Sequence, residues 1–274
     1  MTEAELRERM GQYTFYHTIP LTNQVVTPGW KVVEPVCNMT LRNLRTLELK
    51  GTRVLDIGCR DGLFCFEAEK LGAREVIGID NDPSSGAREF LIPFFGSKVE
   101  LHELNVLDLT PQTFGKFDVV VFPGVLYHLR YPFWALKLIR DVLEDDGKLL
   151  LETAVLIDDN RVPLVFCPIG ADSPYDATSC TFFNTKGLMD TLYSLGLTVQ
   201  HIEYLNPDTH ANQAQPGEPL LDRMAMVCQM TPQMLDRSVS NYWDRTHRMH
   251  TTYQGMVNAG TYSVGKLTSG RSSE

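Results

Sequence analysis

Residues 53–62 read R-V-L-D-I-G-C-R-D-G, and this stretch decides the fold. Val54, Leu55 and Ile57 make a short apolar run of the kind that forms a buried strand. The run carries an acidic residue, Asp56, and gives way to a tight turn from Gly58 to Gly62 that opens a helix. One strand–helix unit later a second apolar run, residues 76–79, ends in Asp80. In an open α/β sheet such features lie at the carboxyl edges of neighbouring strands, where ligands bind. Glycine lets the backbone come close to a ligand, and a carboxylate after the second strand can hold a ribose diol. The pair describes a nucleoside site without saying which nucleoside.

Outward from this centre, helical and strand periods alternate. A helix over 63–71 stops at Gly72, a helix over 82–95 is broken late by Pro93, and 98–103 alternates as a third strand. The continuous apolar run 117–122 fits a strand buried on both faces. Pro132 starts a helix with Phe133, Leu136, Ile139, Val142 and Leu143 at helical spacing. Gly147 is expected to close that helix before a fifth strand at 148–155. A helix over 184–196, a strand over 197–204 and a last strand over 223–230 complete the pattern. The alternation predicts an α/β fold with a doubly wound, mostly parallel, seven-stranded sheet. Two final strands with no helix between them predict an antiparallel edge strand.

The expected domains are an N-terminal lead-in at 1–50, a core at 51–230 and a helical tail at 231–274. Thr2 and Glu5 read as the capping box of a short first helix, and 36–49 reads as a helix leading into the first strand. Residues 13–30 (Y-T-F-Y-H-T-I-P-L-T-N-Q-V-V-T-P-G-W) are too aromatic for a linker. They either pack on the sheet or close over a ligand. The connections 156–183 and 205–220 fall on the ligand-facing edge, and connections of that length are usually functional. Residues 231–257, with Trp243, His247 and His250, read as helical, and the Gly/Ser-rich end 265–274 as disordered.

A net charge of −9 argues against a broad nucleic-acid footprint, which needs a basic face. Residues 156–230 carry nine acidic side chains against Arg161, Lys186 and Arg223, which would repel a phosphate-rich ligand. Six cysteines without a C-x-x-C pair predict reduced thiols and a cytoplasmic setting. The N-terminus lacks the apolar core of a signal peptide, and no run of about 18 apolar residues predicts a membrane span. His247 and His250, three apart on the expected helix, are poor zinc candidates, so no metal is expected. A homodimer is compatible with all of this.

Which nucleoside binds is a matter of spacing. A dinucleotide fingerprint, G-x-G-x-x-G, fails from Gly58 because Arg60 and Leu63 stand where glycines are needed. A phosphate loop fails because no G-K-S/T follows. The pattern present is D-x-G-x-x-x-G, formed by Asp56, Gly58 and Gly62. It resembles motif I of the class I S-adenosylmethionine-dependent methyltransferases, and the other stations of that family follow in order. Asp80 stands at the ribose-binding carboxylate, Asn105 in L-N-V-L-D-L at the adenine-contacting position, and F-D-V-V-V-F-P-G-V-L-Y-H-L (117–129) at the fourth-strand motif beside the reactive methyl. The resemblance implies a Rossmann-like methyltransferase fold and S-adenosyl-L-methionine as cofactor. It implies donor contacts from Asp56, Gly58, Cys59, Arg60, Gly62, Asp80, Asn81, Asn105, Val106 and Pro123. Arg60 replaces the family's middle glycine, and its side chain is expected to reach the donor's methionine carboxylate. By its side-chain size Cys59 reads as a small packing residue rather than a nucleophile.

G-V-L-Y-H-L-R-Y-P (124–132) and L-L-L-E-T (149–153) are similar to the branch containing the tRNA wobble-uridine carboxymethyltransferase, over residues 13–230. Its motif tyrosine corresponds to Tyr127, and the arginine opening its last strand to Arg223 in R-M-A-M-V-C. Its carboxylate-gripping lysine has no match, the first lysine here being Lys31, and its RNA-binding N-terminal extension has no counterpart in residues 1–52. The expectation is therefore a small-molecule acceptor methylated on O or N, nucleic acid being disfavoured. The alternative is an RNA-modifying methyl- or carboxymethyltransferase of the wobble-uridine type, and a cofactor-binding protein without activity is a third reading.

The catalytic candidates are His128, Tyr127, Arg223 and His17. His128, at the mouth of the fourth strand, is placed for a general base, or else bonds backbone near the cofactor. His17 lies in the aromatic lead-in, where Tyr16 or Trp30 can pack on a ligand. Arg223 either orients an acceptor or the cofactor, or pairs at the surface with Asp222 or Glu218. His210 is expected to be solvated.

Overall fold

The computed structural model describes residues 2–211 and 219–231. The expected helical and disordered tail at 231–274, with Trp243, His247 and His250, lies outside the described residues apart from its first residue.

The lead-in begins with α1 (Glu3–Met10), whose capping box is formed: Thr2 Oγ1 accepts from the Glu5 amide, and Glu5 accepts from the Thr2 amide at 2.7 Å. After the aromatic segment, a 3-10 turn (Lys31–Val33) runs into α2 (Glu34–Leu44). This helix starts and stops earlier than the expected 36–49, because Pro35 fits its first turn.

The sheet then builds from β1 (Arg53–Ile57), β2 (Glu75–Asp80), β3 (Glu100–Glu103), β4 (Phe117–Pro123) and β5 (Leu143–Leu156). These pair in parallel in the order β3-β2-β1-β4-β5. The crossovers are α3 (Leu63–Lys70), the short α4 (Ile92–Phe95) and α5 (Pro111–Phe114), and α6 (Pro132–Val142). The expected helix over 82–95 is mostly a π-turn over Ala87–Leu91: the Ile92 amide bonds the Ala87 carbonyl five residues back, and Pro93 has no N–H to restore the α register. Gly147 does not close α6. That helix ends at Val142, because Leu143 is already extended and paired with Phe117. Gly147 lies inside β5, where the ladder to β4 shifts register.

The remaining strands are β6 (Val165–Phe166), β7 (Phe182–Asn184), β8 (Leu197–Tyr204) and β9 (Leu221–Met230), with α7 (Thr185–Ser194) between β7 and β8. All seven expected strands are present, and the two short ones from the 156–183 connection bring the sheet to nine. β7 pairs β5 beyond the end of β4. β6 at another edge runs antiparallel to β7, and β9, one position in from the β8 edge, runs antiparallel to both β5 and β8. Its long ladder with β5 brings the start of β9, at Arg223, beside Ala154.

Apolar faces on both sides of the sheet bury the core. Leu6, Met10, Phe15, Ile19, Leu41 and Leu44 of the lead-in share one cluster with Val54, Phe64 and Val121. The lead-in is thus packed against the sheet as part of the same core. Among the described residues no helix is long and apolar enough to cross a membrane.

Candidate active site

The turn after β1 sets the geometry. The Gly58 and Cys59 amides both bond the Ile79 carbonyl at the end of β2, at 2.8 and 3.2 Å. Gly58 has φ +82°, and a Cβ there would stand 2.3 Å from Val125 Cγ2, so only glycine lets the turn approach the 123–125 segment. Arg60 holds φ +43°, in the left-handed region that favours glycine. Its amide donates to Asp80 Oδ2 at 2.9 Å, and the Asp82 amide donates to Asp80 Oδ1 at 2.9 Å. The guanidinium bonds both the carbonyl and the carboxylate of Asp82. The side chain expected to reach a methionine carboxylate thus bonds the turn after β2 in this structure.

A cavity of about 330 Å³ opens above this edge. Gly58, Arg60, Asp80 and Pro123 line it together with Tyr16, Cys37, Thr40, Glu152 and Arg223, with His17 and His128 also in its wall. The other expected donor residues stand behind or beside it. Asp56 is fully buried and accepts from Cys65 Sγ at 3.1 Å, and burial pushes its carboxyl up to about 7. Cys59 is buried against Gly78, which fits its reading as a packing residue. Gly62, φ +79°, precedes the first residue of α3. Asn81 is exposed. Asn105 caps the turn Val106–Asp108, its Oδ1 accepting from the Leu107 amide at 2.8 Å. Neither Asn105 nor Val106 lines the cavity.

The Arg223 guanidinium is neither a free cation nor a surface partner of Asp222, and Glu218 lies outside the described residues. Its guanidinium meets Glu152 side-on, Nε to Oε1 at 2.7 Å and Nη2 to Oε2 at 2.6 Å. Its Nη1 donates to the hydroxyls of Tyr127 and Tyr175 at 3.3 and 3.0 Å, and the group stacks over the Tyr127 ring at 4.8 Å. Glu152 is fully buried and Arg223 nearly so. Burial works against the arginine's charge, but Glu152 outweighs it and raises the guanidinium well above its ordinary value. Burial also raises the Tyr127 hydroxyl, so it stays protonated. Sequence reasoning named Arg223 and Tyr127 and missed Glu152 and Tyr175. The signal for Glu152 was a lone carboxylate within the apolar run L-L-L-E-T, which a buried strand tolerates only with a partner. Tyr175, in a long connection, carried no such signal.

His128 sits on the rim, stacked on Tyr127 at 4.2 Å, with Nδ1 3.2 Å from Thr178 Oγ1. Desolvation lowers its pKa, against a smaller upward pull from Thr178 and Asp176. His17 is buried between Tyr16 and Phe64, its Nδ1 3.5 Å from Asp61 Oδ2. His210 is not solvated as expected. It bonds Asp222 Oδ2 at 2.8 Å and packs edge-on against Tyr204. Among the described residues no three metal-ligating side chains cluster.

Residues 33–212 match the family described as a methyltransferase domain. A tRNA U34 carboxymethyltransferase of Helicobacter pylori (strain Shi470) is 36% identical over 123 residues, 44% of this chain and 46% of that protein. The matched portion thus spans less than half of that relative's length. Among solved structures, the N-terminal domain of EvdMO1 in the presence of SAH and D-fucose superposes with a TM-score of 0.61 at 17% identity, covering 84% of this chain and 97% of that one. The [4+2]-cyclase SpnF gives 0.55 at 14% identity, covering 82% and 92%. Likeness at these identities shows the fold alone, and one of the two is named a cyclase.

Proposed function

The chain belongs to the methyltransferase domain family, and on that premise we propose that it transfers a methyl group from S-adenosylmethionine to an O or N atom of a small-molecule acceptor. The observation that carries the choice of acceptor is the charge state of the cavity wall. Both arginines lining it are already paired, Arg60 with Asp82 and Arg223 with Glu152. A phosphodiester would find no unpaired arginine there and would face the Asp80 carboxylate, whereas a neutral or cationic small molecule would not be repelled. The net charge of −9 acts in the same direction.

The residues fit an S-adenosylmethionine donor. Asp80 presents a carboxylate at the cavity, oriented by two backbone amides, where a ribose diol can donate to it. The glycine turn and Pro123–Gly124 bound the same space. The donor supplies an activated methyl on a sulfonium, and its displacement is in line. Positive charge at sulfur is lost on transfer, so most of the acceleration falls to orientation. Tyr16, Thr40 and Arg223, with Tyr127 packed against the last, set the direction from which an acceptor faces the donor. His128, with its lowered pKa, is neutral at pH 7 and can take a proton from an acceptor hydroxyl.

The test is calorimetry with S-adenosylhomocysteine on the wild type and Asp80→Ala, followed by turnover against a metabolite extract and against bulk tRNA. Binding that Asp80→Ala abolishes, with turnover in the metabolite fraction, is the expected outcome. The second reading, an RNA-modifying enzyme, is favoured by the 36% identity to a tRNA carboxymethyltransferase. Turnover on tRNA alone, or co-purification of a carboxylated nucleoside detected by mass spectrometry, would select it over the first.

A further inference from the structure

Asp61 belongs to the turn after β1 but contributes nothing to the wall of the cavity. It is fully buried, and a buried carboxylate is costly unless donors surround it. Its short backbone donors come from the lead-in, and the Ser84 side chain also favours its charged form. Oδ2 accepts the Tyr16 amide at 2.6 Å and the His17 amide at 2.7 Å, and lies 3.5 Å from His17 Nδ1. Amide bonds to a carboxylate this short are of the strong, charge-assisted kind.

The neighbouring residue of the same turn is tied the other way. The Arg60 amide bonds the Asp80 carboxylate and its carbonyl accepts from the Ser84 amide at 3.0 Å. Adjacent residues thus grip the donor side and the lead-in. The lead-in is also braced behind its contact with Asp61. Thr27 Oγ1 donates to the His17 carbonyl at 2.6 Å and accepts from the Ile19 amide at 2.7 Å, and the Trp30 amide bonds the Tyr16 carbonyl at 3.0 Å. Gly29 lies so close that a Cβ there would stand 2.2 Å from the His17 carbonyl carbon. A braced loop gripped by short polar bonds responds first where those bonds attach. Asp61 is the polar attachment to the turn, and the loop carries Tyr16 into the wall of the cavity that Asp80 also lines.

We propose that Asp61 is a positioning residue that couples donor occupancy of the 58–62 turn to the placement of Tyr16 on the acceptor side. The proposal rests on the methyl-transfer reading of the cavity. It goes beyond it in assigning the coupling to one carboxylate that touches neither substrate.

The experiment is hydrogen-exchange mass spectrometry of the full chain, with and without S-adenosylhomocysteine, on wild type, Asp61→Ala and Asp61→Asn. In the wild type, ligand slows exchange in peptides spanning 14–19. In Asp61→Ala those peptides exchange about tenfold or more faster without ligand and no longer respond to it. Peptides spanning 117–123 keep their protection, and S-adenosylhomocysteine binds about fivefold more weakly, as loss of a coupling of ordinary size requires. Asp61→Asn, which keeps an acceptor oxygen of the same reach, restores part of the response. A residue with only a structural role would change exchange at 14–19 without removing its response to ligand. A folded Asp61→Ala that responds as the wild type does overturns the proposal. If the alanine variant does not fold, a response in Asp61→Asn equal to that of the wild type, with no change in ligand-free exchange, overturns it. Absence of a binding heat in the wild type overturns instead the methyl-transfer reading beneath it.

Discussion

Asp56, Asp61 and Glu152 are each fully enclosed, and each meets the cost of a buried charge differently. Glu152 takes a cation, Asp61 takes backbone amides, and Asp56 takes a proton. The burial of Asp56 raises its pKa from 3.8 to about 7. The folded state therefore holds a proton that the unfolded state has released between those values. Its stabilising contribution is fully present below pH 3.8 and is lost as pH rises through about 7. Across that window the loss is on the order of 4 kcal/mol. Asp56→Asn mimics the protonated form, so urea unfolding from pH 4 to 8 should show the variant gaining on the wild type up to about pH 7 and level thereafter. Glu152→Ala is expected to act in the opposite sense. It leaves Arg223 buried without its carboxylate, at a cost of about 3–5 kcal/mol read by thermal or urea denaturation.

The elements around the site differ in how far local pattern decides them. β1 and β4 are short apolar runs, each with one aspartate, and both form where their runs lie. The Arg60 backbone is the exception within the turn, a non-glycine at positive φ pinned by Asp80 and Asp82. The lead-in is the element most dependent on close backbone contact. Gly29→Val would drive a side chain into the His17 peptide unit, at a cost of about 1–3 kcal/mol. The expected outcome is limited proteolysis opening within 13–30 while far-ultraviolet circular dichroism of the sheet persists. Retained protease resistance would show that the segment holds its place without this contact.

At the scale of the molecule, ligand binding and stability are linked. S-adenosylhomocysteine at about 100 times its dissociation constant should stabilise the wild type by about 2.7 kcal/mol. Asp80→Ala should show no ligand-dependent shift in thermal unfolding, and an equal shift in both proteins would remove Asp80 from the site. The amino-acid sequence by itself determined the alternation of strands and helices, the glycine turn and the carboxylate after β2. These are written in short windows, where apolar spacing and a glycine act on their immediate neighbours. It also pointed to Arg223 and Tyr127, through their places at a strand start and in a short motif. What only the tertiary structure decided is which groups meet. Glu152 and Arg223 lie 71 residues apart and pair because β9 inserts antiparallel between β5 and β8. Asp61 reaches back 45 residues to Tyr16 because the lead-in folds over the same turn. Such pairings are set by which segments close on one another. The same closure turned Arg60 toward Asp82, drew His210 onto Asp222 and left Asn105 capping its own turn.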